Sequence, residues 1–522
     1  MGVLAKKVAH PLNFYFMKKL LVLNLLCIIY ASSFCQIRRD AVWCFGDSVQ
    51  IDFNQNPPSV GFSAVRARGS VCSISDSTGN LLFYSHTSYI PEWISGNSRL
   101  GVLWNNNHQV MENGDKLNGE GWYKEMVIIP NPSNSQIYYL FHTDVTVYRK
   151  LYYSVIDLSY NGGLGKVIQK NVLVDSLTSQ GLSDGLVAVK HGNGRDWWLI
   201  FRPVNIDGTS NNTINAILIA PTGIGPIQSQ NIGLLTNSNI VRLFVNHEGS
   251  KIILTNVAGL TEYYDFDRCT GLLSNLVTLN YENYNSSTFY RNYNWSAEFS
   301  PNDEILFIST LSSQASFLYQ YDLTASNIRL TKLLLDSLVP PSQGGDLKLA
   351  ADDKIYWAAV YDTGPFPFPY DDTIYNQYNM NLSVINQPNM LGQACDFQKY
   401  SFYLGGHRVY YGLPNNPNYD MIAKGGSICD TLGLPNDIEK INALKNISVY
   451  PNPASNEISL LSLPENFRQI HVSIYDLTGK LVLDKILDSD KINIQHLNEG
   501  IYLMQILLND QIYASKKFSV VR

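Results

Sequence analysis

The chain has 522 residues, of which 45 % are hydrophobic and 16 % charged, the composition of a fully globular protein long enough for two or more domains. Its formal charge of -6, with no basic cluster to neutralise phosphates, argues against nucleic-acid binding. Aromatics make up 12 %, led by 33 tyrosines, and with asparagine frequent in the turns they favour an all-β protein.

At the N-terminus, Met17-Lys18-Lys19 is followed by the apolar run Leu20 to Tyr30 and then by Ala31-Ser32-Ser33-Phe34-Cys35-Gln36. These are the charged, apolar and small-residue zones of a signal peptide, and the apolar run falls well short of the roughly 20 residues that span a bilayer. The expected cleavage lies between Cys35 and Gln36, within a signal segment 1–35 whose true start is Met17. Lipidation of Cys35 is the alternative, against which the bulky Phe34 argues. Past the cleavage point stand Cys44, Cys72, Cys269, Cys395 and Cys429, an odd set without metal-ligand spacing, so at least one stays unpaired within the chain.

The body carries an internal repeat. A turn cluster followed by a strongly apolar strand recurs at Asp76-Ser-Thr-Gly-Asn-Leu-Leu-Phe-Tyr84, at Asn131-Pro-Ser-Asn-Ser-Gln-Ile-Tyr-Tyr-Leu-Phe141 and at His191-Gly-Asn-Gly-Arg-Asp-Trp-Trp-Leu-Ile-Phe201. It returns at Asn246, Ser300 and Ala351, each about 50 to 60 residues after the last, a step suited to propeller blades. The expected unit is a turn, an inner strand, a loop and a second strand ending in Tyr-Asp-Leu or its equivalent, as at Tyr153–Leu158, Tyr263–Phe266 and Tyr319–Leu323. A hairpin hides only one face by itself, so neighbours must stack, and a ring of blades also shields strand edges. A further blade is expected over 375–412, closed by a strand near Ala41 to Phe53, giving seven blades with six to eight allowed.

Catalytic patterns in the body are sparse. Gly181-Leu182-Ser183-Asp184-Gly185 matches the serine nucleophile elbow in form, but two strands follow where that motif needs a helix. His191 and His247 precede successive apolar strands and suit structural hydrogen bonds. His86, His108 and His142 fall in the first two units, where they are placed to converge on one mouth of the ring, and no pair has the short spacing of a zinc helix. Asp265, Asp267, Asp352, Asp353, Asp371 and Asp372 lie in strands or turns. No catalytic, metal or cofactor residue is assigned. Tyr89, Trp93, Trp104, Trp122 and Tyr123 suit sugar stacking or partner anchoring as well as packing. The proline-stiffened loop Asp362 to Asp372, with Phe366, Phe368 and Tyr370, is the preferred contact surface, because stiffness lowers the ordering cost of binding.

The last stretch reads Ile447-Ser-Val-Tyr450-Pro451-Asn452-Pro453-Ala-Ser-Asn-Glu457, then Val472-Ser-Ile-Tyr475-Asp476-Leu-Thr-Gly479-Lys480. It goes on with Leu497-Asn-Glu-Gly500-Ile-Tyr502-Leu-Met-Gln-Ile506 and closes on Lys516-Lys517-Phe518. Period-two apolar alternation broken by turn residues implies short strands that bury a core only as two paired sheets, an immunoglobulin-like sandwich. These three motifs resemble the type A C-terminal sorting domain of type IX secretion cargo. The resemblance implies that the tail is read by the outer-membrane translocon and removed by a sortase-like peptidase, with the product shed or attached to surface lipopolysaccharide.

The body is similar to surface propellers found upstream of gliding-motility-associated or sorting C-terminal domains. The segments that carry this are Trp43-Cys-Phe-Gly46, Gly79-Asn-Leu-Leu-Phe-Tyr84, Met111-Glu-Asn-Gly114, Leu347 to Tyr356, Gly392-Gln-Ala-Cys395 and Gly412-Leu-Pro-Asn415. That resemblance implies no reaction. The expected organisation is a signal segment 1–35, a propeller over 37–422, a linker over 423–444 and a sorting domain over 445–522. The expected role is a secreted or surface binding module of a Gram-negative bacterium for a glycan or envelope protein, without a cofactor. The alternative is a secreted polysaccharide or peptide hydrolase with acids in the propeller channel.

Overall fold

A computed structural model describes residues 38–89, 99–145, 150–174, 180–236, 238, 240–281, 293–312, 314–361, 374–432, 448–461, 470–476, 480–487, 490–508 and 511–522. The expectations on the signal segment with Cys35 and Gln36, on Trp93, on Asp371 and Asp372, on Phe366, Phe368 and Tyr370, on Gly479 and on the later half of the linker lie outside these residues. The structure divides into two units, one made of Asp196–Met421 with the described residues up to Lys190, the other of His191–Arg195 with the described residues of Ile422–Arg522.

Apart from one two-stranded pair, the described strands of the first unit form seven antiparallel sheets, each taken up in chain order from its first strand outward. The first sheet has three strands, Val42–Phe45, Asp47–Asp52 and Ser59–Arg66. Six four-stranded sheets follow, which begin at Val71–Ser75, Met126–Pro130, Val187–Lys190, Val241–Val245, Asn294–Phe299 and Ser342–Leu349. A small pair, Gln180–Leu182 with Pro203–Asn205, accompanies the fourth. Helix is confined among the described residues to 3-10 turns such as Asn161–Gly163, so the chain is all-β.

The repeat seen in the sequence is the turn between the first and second strands of a sheet. Asp76 Oδ1 accepts from the backbone N–H of Thr78 (2.8 Å) and Asn80 (2.9 Å), and Asn131 Oδ1 from Ser133 (2.8 Å). Short polar side chains thus close these turns locally, the property that favours them there. The strand after each turn is therefore the second of its sheet, not the inner one as expected, because another strand of the same sheet precedes the turn. The segment 375–412 likewise makes no sheet of its own. Asn381–Ile385 and Phe397–Tyr403 are the third and fourth strands of the sheet begun at Ser342, and the additional sheet is Val42–Arg66 at the other end. The insertion 362–373 separates the two halves of that last sheet and makes one repeat read as two.

Second strands are apolar on both faces because each face has a different neighbour. In Lys251–Asn256, Ile252 and Leu254 pack with Val189 and Trp198 of the preceding sheet, while Ile253 packs with Ala297, Phe299 and Leu306 of the following one. In Ile305–Thr310, Leu306 and Ile308 face back and Ile305 and Phe307 face forward to Leu347 and Trp357. Each such side chain fully withdrawn from water contributes about 1.5–3 kcal/mol. The succession returns to its start: Tyr356 and Ala358 of the last sheet share a core with Trp43, Phe45 and Phe53 of the first. Arg408, just beyond the last strand, forms a bridge with Asp47 of the first sheet and reaches its carboxylate through Nε at 3.0 Å.

In the second unit, a three-stranded sheet (Ser448–Tyr450, Glu457–Leu461, Lys491–Asn493) and a four-stranded one (Leu481–Leu487, Ile470–Asp476, Gly500–Leu508, Gln511–Val520) share one core. Ile458, Leu460 and Ile492 of the first meet Val472, Ile474, Met504 and Phe518 of the second.

Candidate functional site

After its last strand the first unit sends Leu404 to Met421 past the first strands of the other sheets. Pro414 and Pro417 cannot donate from the backbone, so Asn415, Asn416 and Asn418 do the bonding. Asn415 donates its N–H to Val71 O (2.8 Å) and its side-chain amide to both Met126 O and Leu186 O (2.8 Å each), so one residue ties three sheets. Asn416 accepts from Ser73 N (2.8 Å) and donates to Asp40, Asn418 donates to His247 O (2.9 Å), and Tyr419 donates its hydroxyl to Ile128 O (3.1 Å). The approach is close enough that a Cβ on Gly412 would stand 2.1 Å from Gly69 O.

Beside this segment lies a cavity of about 350 Å³. Its wall includes Arg38, Asp40, Lys124, Phe244, His247, Glu298, Phe299, Lys348, Asp353 and Asp420. Lys348 Nζ stands 3.2 Å from Asp40 and also donates to Asn416 O (3.2 Å). Asp40 accepts in addition from Trp43 Nε1 at 3.0 Å. Glu298 accepts from Phe299 N (2.9 Å) and Leu349 N (3.0 Å). Burial raises both carboxyls above their ordinary range, with Lys348 opposing the rise in each. Burial also holds the Lys124 ammonium below its usual value. Asp420 is pushed up to about 7 by burial, against the opposing field of Lys190.

A second charged layer is set at the starts of the first strands. Arg242 donates to Asp184 Oδ2 (2.9 Å) and to Trp295 O (2.8 Å), with its guanidinium 3.6 Å from the Trp295 ring centre. Lys124 stands 3.6 Å from Asp346. Tyr123, Trp295 and Tyr411 form an aromatic cluster around these ion pairs. Glu125 accepts from Thr87 Oγ1 (2.6 Å) and Gly121 N (3.1 Å) and is pushed up to about 8 by burial.

The Glu125 shift predicts a pH dependence. The folded state keeps a proton that the unfolded chain releases near 4.5, so stability is highest at low pH and falls as pH rises to about 8. His86 and His142, buried and held near 4, act in the opposite sense only below their ordinary value of 6.5. Between pH 6.5 and 8, denaturant melts are expected to lose about 2 kcal/mol through Glu125, and Glu125→Gln to flatten that decline. An unchanged slope in the variant would refute the assignment.

The sequence candidates do not converge. Ser183 hydrogen-bonds through its N–H and hydroxyl to Arg202 O (3.1 and 3.2 Å), and the strand Val187–Lys190 follows it, so no nucleophile elbow exists. His86 accepts from Trp104 Nε1 (3.2 Å), His108 bonds the Tyr84 hydroxyl (2.9 Å), and His142 bonds Asn118 O (2.8 Å) and Ser154 Oγ (3.1 Å). They are three separate packing contacts rather than one mouth. His191 Nδ1 accepts from Asn193 N (3.1 Å), whereas His247 acts mainly through its backbone, its N–H donating to Asp303 (2.8 Å). Asp352 accepts from the Tyr356 hydroxyl (2.8 Å), and Asp265 pairs with Lys251. Cys44, Cys72 and Cys395 are free buried thiols, while Cys269 and Cys429 are disulfide-bonded. Among the described residues no group of three or more His, Cys, Asp or Glu could hold a metal ion, and no helix is long and apolar enough to cross a membrane.

The tail motifs do meet. Asn452 Oδ1 accepts from Ser519 N (3.0 Å) and Ser519 Oγ (3.1 Å) while its amide reaches Lys517 O (3.3 Å). Tyr502 stacks on Phe518 (5.7 Å) and donates to Asn498 O (2.8 Å). Asp476 accepts from Lys480 N (3.1 Å) across the turn, Tyr475 pairs with Leu503, and Gly500 opens the third strand of its sheet. Lys516 and Lys517 pair with Met504 and Leu503, while Tyr450, the last residue of strand Ser448–Tyr450 before the Pro451-Asn452-Pro453 turn, is 64 % exposed.

Residues 448–521 match the family described as the secretion system C-terminal sorting domain. No curated protein sequence matches the chain. Among solved structures it is similar to PorZ, an essential surface component of the type IX secretion system of Porphyromonas gingivalis. That likeness has 10 % identity, 91 % of this chain and 63 % of PorZ covered, and a TM-score of 0.36. The periplasmic gluconolactonase PpgL of Pseudomonas aeruginosa gives 11 % identity, 71 % and 97 % covered, and 0.43. The Dos1 propeller gives 9 %, 72 % and 87 %, and 0.39.

Proposed function

From a tail that marks the chain as type IX secretion cargo, exported to the cell surface or released, we propose that the mature protein is a non-catalytic binding module. Residues 37–422 make a seven-bladed β-propeller, 423–444 a linker, and 445–522 an immunoglobulin-like sorting sandwich. Support for the ring comes from seven consecutive sheets, the last of which shares its core with the first. Support for the sandwich comes from two sheets on one core. The signal segment ends at Cys35, and the translocon and a sortase-like peptidase of a Gram-negative envelope read the tail through Tyr450 to Pro453, Tyr475 to Lys480, Gly500, Tyr502 and Lys516-Lys517. The ligand is a glycan or an envelope protein.

One observation carries binding over hydrolysis. Six of the charged side chains along the axis are matched in pairs, Asp40 with Lys348, Lys124 with Asp346 and Asp184 with Arg242, and the chain's own Leu404 to Met421 runs beside them. A carboxylate held by a lysine and an asparagine is a fixed hydrogen-bonding wall, whereas general acid–base work needs a group free to exchange its proton with substrate. The purified body, assayed on a glycan array and a panel of polysaccharide and peptide substrates, is expected to bind without turnover. Turnover lost in Asp40→Asn or Glu298→Gln would replace this reading with the hydrolase.

A further inference from the structure

We infer that the axial cavity takes a neutral, hydroxyl-rich ligand of about one sugar ring in size. The inference rests on the binding reading above and adds the ligand class. Charge compensation disfavours a strongly ionic ligand: Lys348 is committed to Asp40 at 3.2 Å and Lys124 to Asp346 at 3.6 Å, and Glu298 lies in the field of Lys348 while accepting two backbone N–H groups. These paired groups offer little to offset the desolvation of an ion.

The wall keeps hydrogen-bonding capacity all the same. Asp420, which lines the cavity, has Oδ1 buried without a partner. A buried acceptor of this kind costs free energy until a donor reaches it. A hydroxyl group suits such a wall because it donates to a carboxylate oxygen and accepts from an ammonium in one position. Phe244 and Phe299 add an apolar surface to the same cavity, which is what the C–H face of a sugar ring requires. A volume of about 350 Å³ lies at the small end of the roughly 300–1,000 Å³ of ligand pockets.

The test is saturation-transfer NMR on the mature full chain with glucose, galactose, mannose and N-acetylglucosamine, alongside the charged counterparts glucuronate and glucosamine. At least one neutral sugar is expected to receive saturation, and its charged counterparts to bind about tenfold or more weaker. Asp420→Asn, which keeps size and one acceptor, is expected to weaken the neutral sugar by about tenfold or more, with circular dichroism unchanged. Charged sugars binding as well as neutral ones, and lost equally in Asp420→Asn, would overturn the ligand class and leave the binding module standing. No sugar binding at all overturns the inference. If the glycan array and substrate panel are blank as well, the binding module falls with it.

Discussion

Removing residues 448–522 is expected to abolish delivery to the cell surface and the medium, and to leave the body in the periplasm. The reason is physical separation of roles. The second unit has its own core from Ala454 to Val520, and the motif residues that resemble a sorting signal belong to that unit rather than to the body. Fractionation followed by immunoblotting measures the outcome. Surface display of the truncated chain would show that the address lies elsewhere. A milder version replaces Asn452 with Ala, which unpins the Pro451-Asn452-Pro453 turn from Ser519 and Lys517 and is expected to reduce export without unfolding the body.

The second large effect is expected at Arg242. The residue is 1 % exposed, and it holds Asp184, which is fully buried, by a charged hydrogen bond of 2.9 Å. Arg242→Met leaves that carboxylate without its cation, a change that costs about 3–5 kcal/mol when one partner of a buried pair is lost. Arg242→Met with Asp184→Leu is expected to regain most of the loss, because the desolvation cost then disappears with the charges. Asp184 already sits near pKa 6 through burial, opposed by Arg242. Without the arginine it protonates more readily, so the single variant is expected to recover part of its stability below pH 6. Urea melts of the three proteins at pH 5 and pH 8 decide the matter. A single variant as stable as the parent at pH 8 would mean the pair is not a structural tie.

How much of this was legible in the sequence depends on distance along the chain. The turns at Asp76, Asn131, Asn246 and Ser300 were readable because an Asp, Asn or Ser side chain bonds its own neighbours two to five residues on. The apolar strands after them were readable too, since Ile252, Ile253 and Leu254 need no partner to announce burial. Their rank within the sheet was misread, because the first strands Val71–Ser75 and Val241–Val245 are short and carry polar residues such as Ser73 and Arg242. The candidate site was hidden for a different reason. Asp40, Glu298 and Lys348 are 258 and 50 residues apart in sequence and gain meaning only when the sheets come round. Asn415, Asn416 and Asn418 sit in a Pro-Asn run that reads as a loop, and its proline-to-asparagine alternation was the one available sign that side chains would do the bonding.

The fate of Asn415 reaches beyond stability. Its three hydrogen bonds join residues 71, 126 and 186 to a position some two hundred to three hundred and forty residues downstream. A polypeptide interrupted before that point contains every one of the seven sheets and still lacks the peg that fastens three of them. The native state of the body therefore reports that synthesis has passed residue 415, and a product interrupted earlier stays open to the proteases of the compartment it is in.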